Sequence, residues 1–390
     1  MTTNIKPADR VNEIKEYWFA GKLREVAKLN AEGRDIVSLG IGGPDRPPHA
    51  SVVKTLCETA SQPDAHSYQP FAGLPELRRG YADWYKKYYG VELDPASELL
   101  PLIGSKEGVL HVSLAFLNPG DGVLVPNPGY PTYTSASRLA MAKIYNYSLK
   151  EENGWYPDFD ELEKLPLEDI KLMWVNYPHM PTGARASREL FKKIIDFGRR
   201  HNIVIVHDNP YSFILNDSPL SILSVPGAKE IAIEFNSLSK SHNMAGWREA
   251  MIASNPEFIQ WIVKVKSNVD SGQFKPIMKA AVDALALGDD WYKELNEVYA
   301  GRRVVAEKIF EELGIIFDSN QRGLFLWGRI PDEETSGQAL ADKLLYEARV
   351  FVTPGFIFGS EGERYIRLSL CATEEKLTEA LRRIKEWKND

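Results

Sequence analysis

The stretch IVIVHDNPY, residues 203–211, places a run of β-branched apolar residues directly before a group of polar residues. The stretch IAIEFNSLSK, residues 231–240, repeats this order further along the chain. Short apolar runs that alternate with helical patterns are typical of a parallel β-sheet covered by helices. Because ligands on such sheets bind beyond the carboxyl ends of the strands, the polar residues after each run are candidate site residues.

The same alternation continues from about residue 99 to residue 254, with helical patterns between the apolar runs. It predicts strands over residues 99–103, 122–126, 143–147, 172–176, 203–207, 231–235 and 250–254. Residues 10–33 are predicted to form one polar helix that contains the aromatic cluster Tyr17-Trp18-Phe19. A short strand is predicted at residues 36–39.

The pattern changes near residue 285, where a long polar helix is predicted. Two more strands are predicted beyond it, at residues 323–327 and 365–370. The sequence therefore predicts an α/β fold with a large domain, residues 48–284, in which helices flank a mostly parallel seven-stranded sheet. A smaller α/β domain is predicted from both termini, residues 1–47 and 285–390.

The bulk composition excludes several classes of partner. With a net charge of −7 over 390 residues and a pI near 5.7, the chain has no basic field for nucleic acid or an anionic membrane. No stretch approaches about 18 uninterrupted apolar residues and the N-terminus lacks an apolar signal segment, so we expect a cytoplasmic protein that binds small molecules. Cys57 and Cys371 are predicted to be buried free thiols, and no metal site is predicted.

A lysine, Lys240, follows the apolar run at residues 231–235. The end of a parallel sheet is partly desolvated, which lowers the pKa of an amine and allows it to attack an aldehyde. Arg248, a little further on, suits a ligand that carries a phosphate. The segment Ser237–Lys240 also matches the Ser-x-x-Lys motif of penicillin-binding acyltransferases, but the Lys-Thr-Gly and Ser-Asp-Asn partners of that motif do not occur in the chain.

Asp208 and Tyr211 follow the apolar run at residues 203–207. A carboxylate at the end of a buried strand is costly unless a cation meets it, and the protonated ring nitrogen of a pyridine cofactor would be such a cation. Tyr211 is then well placed to donate to the phenolic oxygen of the same ring. A simple turn built by Asp-Asn-Pro is the alternative interpretation.

The run NSLSKSHNMAGWR, residues 236–248, resembles the lysine motif of the class I and II aminotransferases. The run HDNPYSF, residues 207–213, resembles the Asp-x-x-Tyr motif that precedes it in that family. The resemblance implies an enzyme of fold type I that binds pyridoxal 5'-phosphate (PLP) as a Schiff base. The lysine of that bond would be Lys240, and Asp208 and Tyr211 would be further catalytic residues.

Further motifs of this family occur in the family's order along nearly the whole chain. The resemblance implies a set of residues that bind the cofactor ring or its phosphate: Gly104, Ser105, Lys106, Tyr130, Asn176, Ser237, Ser239 and Arg248. It also implies that Gly42 lies close to the substrate and that Arg367 binds the substrate α-carboxylate. Tyr68 would reach the phosphate of a neighbouring subunit, so a homodimer with shared sites is implied.

The resemblance implies an aminotransferase that moves an amino group between an amino acid and a 2-oxo acid, with 2-oxoglutarate as the expected acceptor. Lys240 would move the proton between the substrate Cα and the cofactor. A PLP-dependent carbon–sulfur β-lyase would use the same residues and stays open as an alternative. A non-catalytic regulatory module is a further alternative, although such modules normally carry an N-terminal DNA-binding domain and residues 1–35 are mostly polar.

Several features depart from the family pattern or stay open. Met180 stands where most relatives have the asparagine of Asn-Pro-Thr-Gly, which removes one donor to the phenolic oxygen, and Ala250 stands where relatives commonly have glycine. The stretch WIVKVKSNVDSGQFKP, residues 261–276, resembles prokaryotic aminotransferases of the diaminopimelate and broad-specificity groups. It contains no arginine, which argues against strict aspartate specificity. Three histidines near the motifs have either site or backbone-capping roles: His179, His207 and His242.

Overall fold

A computed structural model describes residues 4–14 and 16–389 of the chain. Its strands, in chain order, are β1 (Val37–Ser38), β2 (Leu99–Leu102), β3 (Gly122–Asn127), β4 (Lys143–Ser148), β5 (Ile170–Asn176), β6 (Val204–Asp208), β7 (Ala232–Ser237), β8 (Ala250–Ala253), β9 (Ile316–Phe317), β10 (Phe325–Arg329), β11 (Val350–Phe351), β12 (Thr353–Pro354) and β13 (Tyr365–Ser369). The strands predicted from the alternation are thus present, with limits that differ by one or two residues.

The α-helices of the described residues connect and cover these strands. They are α1 (Asp9–Asn12), α2 (Trp18–Ala31), α3 (Ala50–Ala60), α4 (Pro75–Tyr89), α5 (Ser105–Phe116), α6 (Pro131–Leu139), α7 (Phe159–Leu162), α8 (Arg188–His201), α9 (Leu238–Ser241), α10 (Pro256–Lys266), α11 (Lys275–Leu285), α12 (Asp289–Glu312), α13 (Gly337–Tyr346) and α14 (Glu374–Asn389). No helix in the described part of the chain is long and apolar enough to cross a membrane.

The main sheet has seven strands in the order β2-β8-β7-β6-β5-β3-β4. Only β8 runs antiparallel to its two neighbours, so the predicted mostly parallel sheet is confirmed. The parallel register sets Asn176 beside Asp208 and Asp208 beside Phe235. The last residues of β5, β6 and β7 therefore meet at one edge of the sheet.

Except for the edge strand β4, the strands of this sheet are almost entirely buried on both faces, which explains why they are mostly apolar runs. In β5, Leu172 and Trp174 pack into the apolar cluster on one face, and Met173 and Val175 pack into the cluster on the other face. This alternation follows from the two-residue period of a strand. The strand then ends on the polar residue Asn176, which belongs to neither apolar cluster.

A third apolar cluster surrounds a four-stranded antiparallel sheet in the order β12-β13-β10-β9. Near it, β1 from the N-terminal part of the chain pairs in parallel with β11 from the C-terminal part. Helices α12 and α14 pack against each other and contribute to the same cluster. The limits of the two domains, as drawn from the sequence, stay a prediction.

Two expectations from the sequence are wrong. The helix predicted over residues 10–33 is two helices, α1 and α2, and Tyr17 lies between them with a non-helical backbone. Cys57 is exposed, because α3 turns Val52 and Thr59 to the interior and Cys57 away from it, whereas Cys371 is buried as expected.

Candidate active site

A cavity of about 390 Å³ opens at the edge where β5, β6 and β7 end. Most of the residues singled out in the sequence line it: Gly42, Ser105, Lys106, Tyr130, Asn176, Asp208, Tyr211, Ser237, Ser239, Lys240, Arg248 and Arg367. They come from segments more than 300 residues apart in the chain. The cavity therefore lies where the strand-end rule places a ligand site in an α/β sheet.

Lys240 lies on α9, the short helix that directly follows β7, and Ser237 caps this helix by accepting the N–H of Ser239. The Lys240 ammonium donates a hydrogen bond to the carbonyl of Gly42 at 2.5 Å. Burial lowers the pKa of Lys240, and the positive charges of Arg367 and Arg248 lower it further. An amine with a lowered pKa holds its lone pair free for attack on a carbonyl carbon.

Asp208 ends β6, and only one of its carboxylate oxygens has a partner. Oδ2 accepts a hydrogen bond from the Tyr133 hydroxyl at 2.7 Å, while Oδ1 is buried and has no partner among the described residues. Burial raises the pKa of Asp208 to about 6, and the Tyr133 hydrogen bond opposes that rise. A buried oxygen without a partner at the cavity wall is a binding position for an N–H group of a ligand.

Tyr133 is a site residue that the sequence analysis missed. It follows Tyr130 by three residues at the start of α6, a spacing that places both rings on one face of the helix. Its ring stacks on Trp174 with 4.9 Å between the centroids and an interplanar angle of 4°. The i,i+3 spacing within NPGYPTY was the signal that could have found it.

One end of the cavity has the features of an anion site. Ser105 is the first residue of α5, where backbone N–H groups point outward, and its buried hydroxyl has no partner among the described residues. The Arg248 guanidinium approaches the same turn so closely that a Cβ at Gly104 would lie 2.0 Å from its Nη2 atom. Gly104 does not line the cavity itself; with φ +80° and this close approach, it is the residue that lets the arginine reach the turn.

Arg367 forms a second cationic position in the cavity. Its guanidinium donates to the Gly40 carbonyl at 3.0 Å and to the Met180 sulfur at 3.3 Å, while the buried Nε has no partner among the described residues. The ring centroids of Phe325 and Phe358 lie 3.9 and 4.7 Å from it. Burial lowers the pKa of Arg367 to about 10. A buried guanidinium without a carboxylate partner is suited to bind the carboxylate of a ligand.

Asn176 holds the loop that carries Met180. Its side-chain amide donates to the Asp208 carbonyl at 2.6 Å, and its side-chain oxygen accepts the N–H of Met180 at 2.7 Å. The side chain of Asn176 thus connects the end of β6 with the loop after β5. Tyr211 also lines the cavity, and burial raises the pKa of its hydroxyl, which keeps that hydroxyl a hydrogen-bond donor.

The sequence model of the family described as Aminotransferase class I and II matches residues 34–384. This chain belongs to the class I and II aminotransferases. An LL-diaminopimelate aminotransferase of Oleidesulfovibrio alaskensis is 42% identical over 385 residues, covering 98% of this chain and 99% of the relative. An LL-diaminopimelate aminotransferase of Aquifex aeolicus is 40% identical over 383 residues, with the same coverage.

Solved structures agree with the family. The substrate-bound BacF structure from Bacillus subtilis is 36% identical to this aminotransferase, with a TM-score of 0.93 and 98% of each chain covered. A mutant of Thermus thermophilus aspartate aminotransferase is 25% identical, with a TM-score of 0.91 and coverage of 98% of this chain and 100% of the other. The fold of the aminotransferase is therefore that of aspartate aminotransferase.

The cofactor of this aminotransferase is PLP, which members of the family use. The cavity fits this group on three observations. The buried Ser105 hydroxyl and the Arg248 guanidinium meet the helix N-terminus where a phosphate would bind. The unpaired Asp208 Oδ1 suits a pyridinium N–H, and the Lys240 amine suits an aldehyde.

The remaining predicted residues lie outside the cavity. Tyr68 is 89% exposed and does not line it. His207 packs behind Asp208 with its Nδ1 atom 2.7 Å from Glu234, and burial lowers the pKa values of His179 and His242 to about 3. Ala250, the second departure from the family pattern, begins β8 and is buried between β2 and β7.

A cluster of possible metal ligands lies behind the anion site. Glu107, His111 and Asp270 hold their ligand atoms within 4.8 Å of one another. The ammonium of the buried Lys266 forms ion pairs with both carboxylates. Because this ammonium already compensates the acidic charge, the cluster is an internal ion-pair network rather than a cation site.

Proposed function

We propose that this aminotransferase transfers the amino group of an amino acid to 2-oxoglutarate through a covalent bond between Lys240 and PLP. The arrangement that carries the proposal is the Lys240 amine in one cavity with the unpaired Asp208 Oδ1 atom and the Arg367 guanidinium, whose Nε has no partner among the described residues. These three groups match the aldehyde and pyridine nitrogen of the cofactor and the α-carboxylate of the substrate. A β-lyase would need the same groups, but the relatives named above are aminotransferases.

Bound PLP supplies an electron sink for the electron pair that is left when the substrate Cα loses its proton. Lys240 Nζ would hold the cofactor covalently through its aldehyde in the resting enzyme. The same amine would be the group that takes up the proton of the substrate Cα and carries it to the cofactor. Burial lowers the pKa of Lys240, which favours the neutral amine that can accept the proton.

The other residues orient the reactants. Asp208 Oδ1 accepts the N–H of the pyridine ring and keeps it protonated, while the Tyr133 hydrogen bond fixes the carboxylate plane. Arg367 binds the α-carboxylate and thereby sets the direction of the Cα–H bond. The phosphate is held by a group of residues at the anion site: Ser105, Ser237, Ser239 and Arg248. Tyr211 donates to the phenolic oxygen.

We also propose a homodimer in which Tyr68 serves the site of the partner subunit. The proposal is supported by exposed apolar side chains on two neighbouring segments, with exposed fractions of 89% for Tyr68, 42% for Phe71 and 60% for Val269. The segments are adjacent, because a Cβ at Gly272 would lie 2.5 Å from the Gln69 carbonyl. Exposed apolar patches of this kind mark protein–protein contacts.

Mixing Tyr68→Phe and Lys240→Ala subunits tests the shared site. In a heterodimer with shared sites, one site carries both substitutions and the other carries neither, so activity should rise above that of each variant alone. Subunit exchange is followed by native mass spectrometry. No recovered activity in demonstrated heterodimers would show that each site is built from one subunit.

The function itself is tested with the purified holoenzyme, 2-oxoglutarate and a panel of amino acids. We expect glutamate and the matching 2-oxo acid as products, and borohydride should fix the cofactor on Lys240 in peptide mapping. Formation of pyruvate and a thiol from cysteine conjugates, without glutamate, would assign a lyase instead. Reduced cofactor on Lys106 or Lys264 would overturn the site assignment.

A further inference from the structure

Glu249, which directly follows Arg248, is a carboxyl residue with no role in the site described above. Its side chain is fully buried, with 0% exposed. The Oε1 atom accepts a hydrogen bond from the Tyr81 hydroxyl of α4 at 3.1 Å, and the Oε2 atom has no partner among the described residues. A buried carboxyl with a single neutral donor is a costly place for a negative charge.

The surroundings of Glu249 favour the neutral carboxyl group over the carboxylate. Burial raises the pKa of Glu249 to about 8, while the Tyr81 and Gln273 side chains and the Lys266 ammonium of α10 oppose that rise. This ammonium already forms ion pairs with two other carboxylates, so it does not compensate a third. A partner subunit changes none of this, because the side chain is enclosed within its own chain.

Gln273, beside Glu249, also has one buried atom without a partner. Its Nε2 atom donates to the Arg248 carbonyl at 2.8 Å, and its Oε1 atom has no partner among the described residues. A carbonyl only accepts hydrogen bonds, so this contact fixes the orientation of the amide and leaves Oε1 as an acceptor. A carboxylate at Glu249 could not pair with this acceptor, whereas a protonated carboxyl has an O–H that can donate to it.

The backbone around Glu249 joins two parts of the active site. Its carbonyl accepts the Ser237 hydroxyl at 3.2 Å, and Ser237 caps α9, the helix of the reactive lysine. On the other side, Arg248 reaches the anion site with its guanidinium while its carbonyl is held by Gln273. Arg248 has a φ of +58°, in the left-handed region that L-residues rarely adopt, so contacts must hold this turn in place.

We propose that Glu249 is a positioning residue that carries its proton in the working enzyme and donates it in a hydrogen bond to Gln273 Oε1. Gln273 in turn holds the Arg248 carbonyl, and the turn directs the guanidinium to the cofactor phosphate. Glu249 itself touches neither cofactor nor substrate. The inference rests on the phosphate site proposed above.

The proton on Glu249 is tested by infrared spectroscopy of the holoenzyme. The difference spectrum of wild type minus Glu249→Gln should show the carbonyl band of a protonated carboxyl group at pH 7. This band should disappear as the pH rises above about 8, since the carboxyl then ionises. A carboxylate band at pH 7 would overturn the inference without affecting the phosphate site.

The action of this proton on the phosphate site is tested by the Kd for PLP of the full-length enzyme. Glu249→Gln keeps a donor toward Gln273 and should bind PLP within about twofold of the wild type at pH 7. Glu249→Leu removes the donor and should raise this Kd about five- to tenfold, which corresponds to one lost hydrogen bond. The Kd for pyridoxal, which lacks the phosphate, should stay within about twofold in both variants.

The pH dependence keeps the inference testable if Glu249→Leu fails to fold. Above pH 8 the wild type should lose PLP affinity relative to Glu249→Gln, because only the wild type has a carboxyl that ionises. A constant ratio of the two Kd values from pH 7 to about 9.5 would refute the positioning role.

Two further variants separate the possible failures. Tyr81→Phe is the matched control, since it removes a hydrogen bond from the same carboxyl but leaves the bond to Gln273, and it should bind PLP like the wild type. Equal losses in Tyr81→Phe and Glu249→Leu would show a structural role only. Arg248→Ala should weaken PLP about tenfold or more and spare pyridoxal. If it weakened both ligands equally, the phosphate site itself would be wrong.

Discussion

Lys240 and Lys266 both lie inside the molecule, but the structure surrounds them differently. Lys266, which is 2% exposed, forms ion pairs with Asp270 and Glu107. Lys240 donates to one backbone carbonyl, that of Gly42, and pairs with no carboxylate among the described residues. The charge of Lys266 is thus compensated by carboxylates of the same chain, whereas the amino group of Lys240 remains available to a ligand.

Glu234 and Asp208, on the adjacent strands β7 and β6, differ in the same way. Glu234 is fully buried, and its carboxylate lies 2.7–2.9 Å from Tyr85 Oη, Ser221 Oγ, the N–H of Ile222 and His207 Nδ1. Asp208 accepts a side-chain hydrogen bond only from Tyr133, and its Oδ1 has no partner in the described part of the chain. An unpaired buried polar group costs about 1–3 kcal/mol, and at the wall of a cavity a ligand can supply the missing partner. Burial of a charged residue does not by itself indicate a ligand site.

Replacing the two lysines should produce the sharpest contrast. Lys240→Ala should lower transamination about 10⁴-fold, because the covalent anchor and the proton carrier are both lost. Lys266→Met should instead lower the free energy of unfolding by about 3 kcal/mol, because two partly buried carboxylates lose their cation. Activity assays and urea unfolding of both variants measure this. If Lys266→Met lost activity as completely as Lys240→Ala while staying folded, the division between the two regions would be wrong.

Substitutions of Asp208 and Glu234 should likewise change activity in one case and stability in the other, with smaller effects than those of the lysines. Asp208→Asn should lower kcat at least about 100-fold with little change in stability, because an amide does not keep the pyridine nitrogen protonated. Glu234→Gln should lower the free energy of unfolding by about 3 kcal/mol, because its NH2 group faces donors. Near-normal turnover of Asp208→Asn would make Asp208 a turn residue.

A substitution at Met180 tests how far the absence of a hydrogen-bond donor changes the site. Met180→Asn should lower the midpoint of the pH titration of the yellow absorbance band by about 1–2 units, since a donor to the charged phenolic oxygen stabilises its deprotonated form. Asn176 is already engaged with the Asp208 carbonyl and the Met180 N–H. Met180→Leu, which adds no donor, is the control and should titrate like the wild type. A rise in the midpoint for Met180→Asn would contradict the assigned surroundings of the ring.

The smallest effect concerns the pH dependence of stability after removal of the cofactor. Burial raises the folded-state pKa of Asp208 to about 6, above its ordinary value of 3.8, so its ionised form destabilises the fold at neutral pH. This penalty falls as the pH drops through 6 towards 4. Relative to Asp208→Asn, the cofactor-free wild type should gain about 1 kcal/mol of stability between pH 7 and pH 5. Urea unfolding at both pH values measures this difference in stability. An equal pH dependence in the two proteins would show that Asp208 is not desolvated.

The sequence by itself determined the sheet and the position of the cavity. Apolar runs that are buried on both faces, followed by polar residues, predict parallel strands and the edge where their ends meet. Asn176 and Asp208 end their strands at that edge, and Lys240 follows β7 directly. The period of a strand is set by consecutive residues, so this part of the fold can be predicted without coordinates.

Only the tertiary structure decided which groups in the cavity have partners. The Tyr133 hydroxyl meets Asp208 across 75 residues, and the Gly40 carbonyl meets Arg367 across 327 residues. Tyr17 and Phe19 likewise line the cavity, and the backbone of Tyr17 is non-helical where the sequence predicts a continuous helix. Contacts between segments this far apart depend on how whole elements pack, and the periodicity of any single segment does not contain that information.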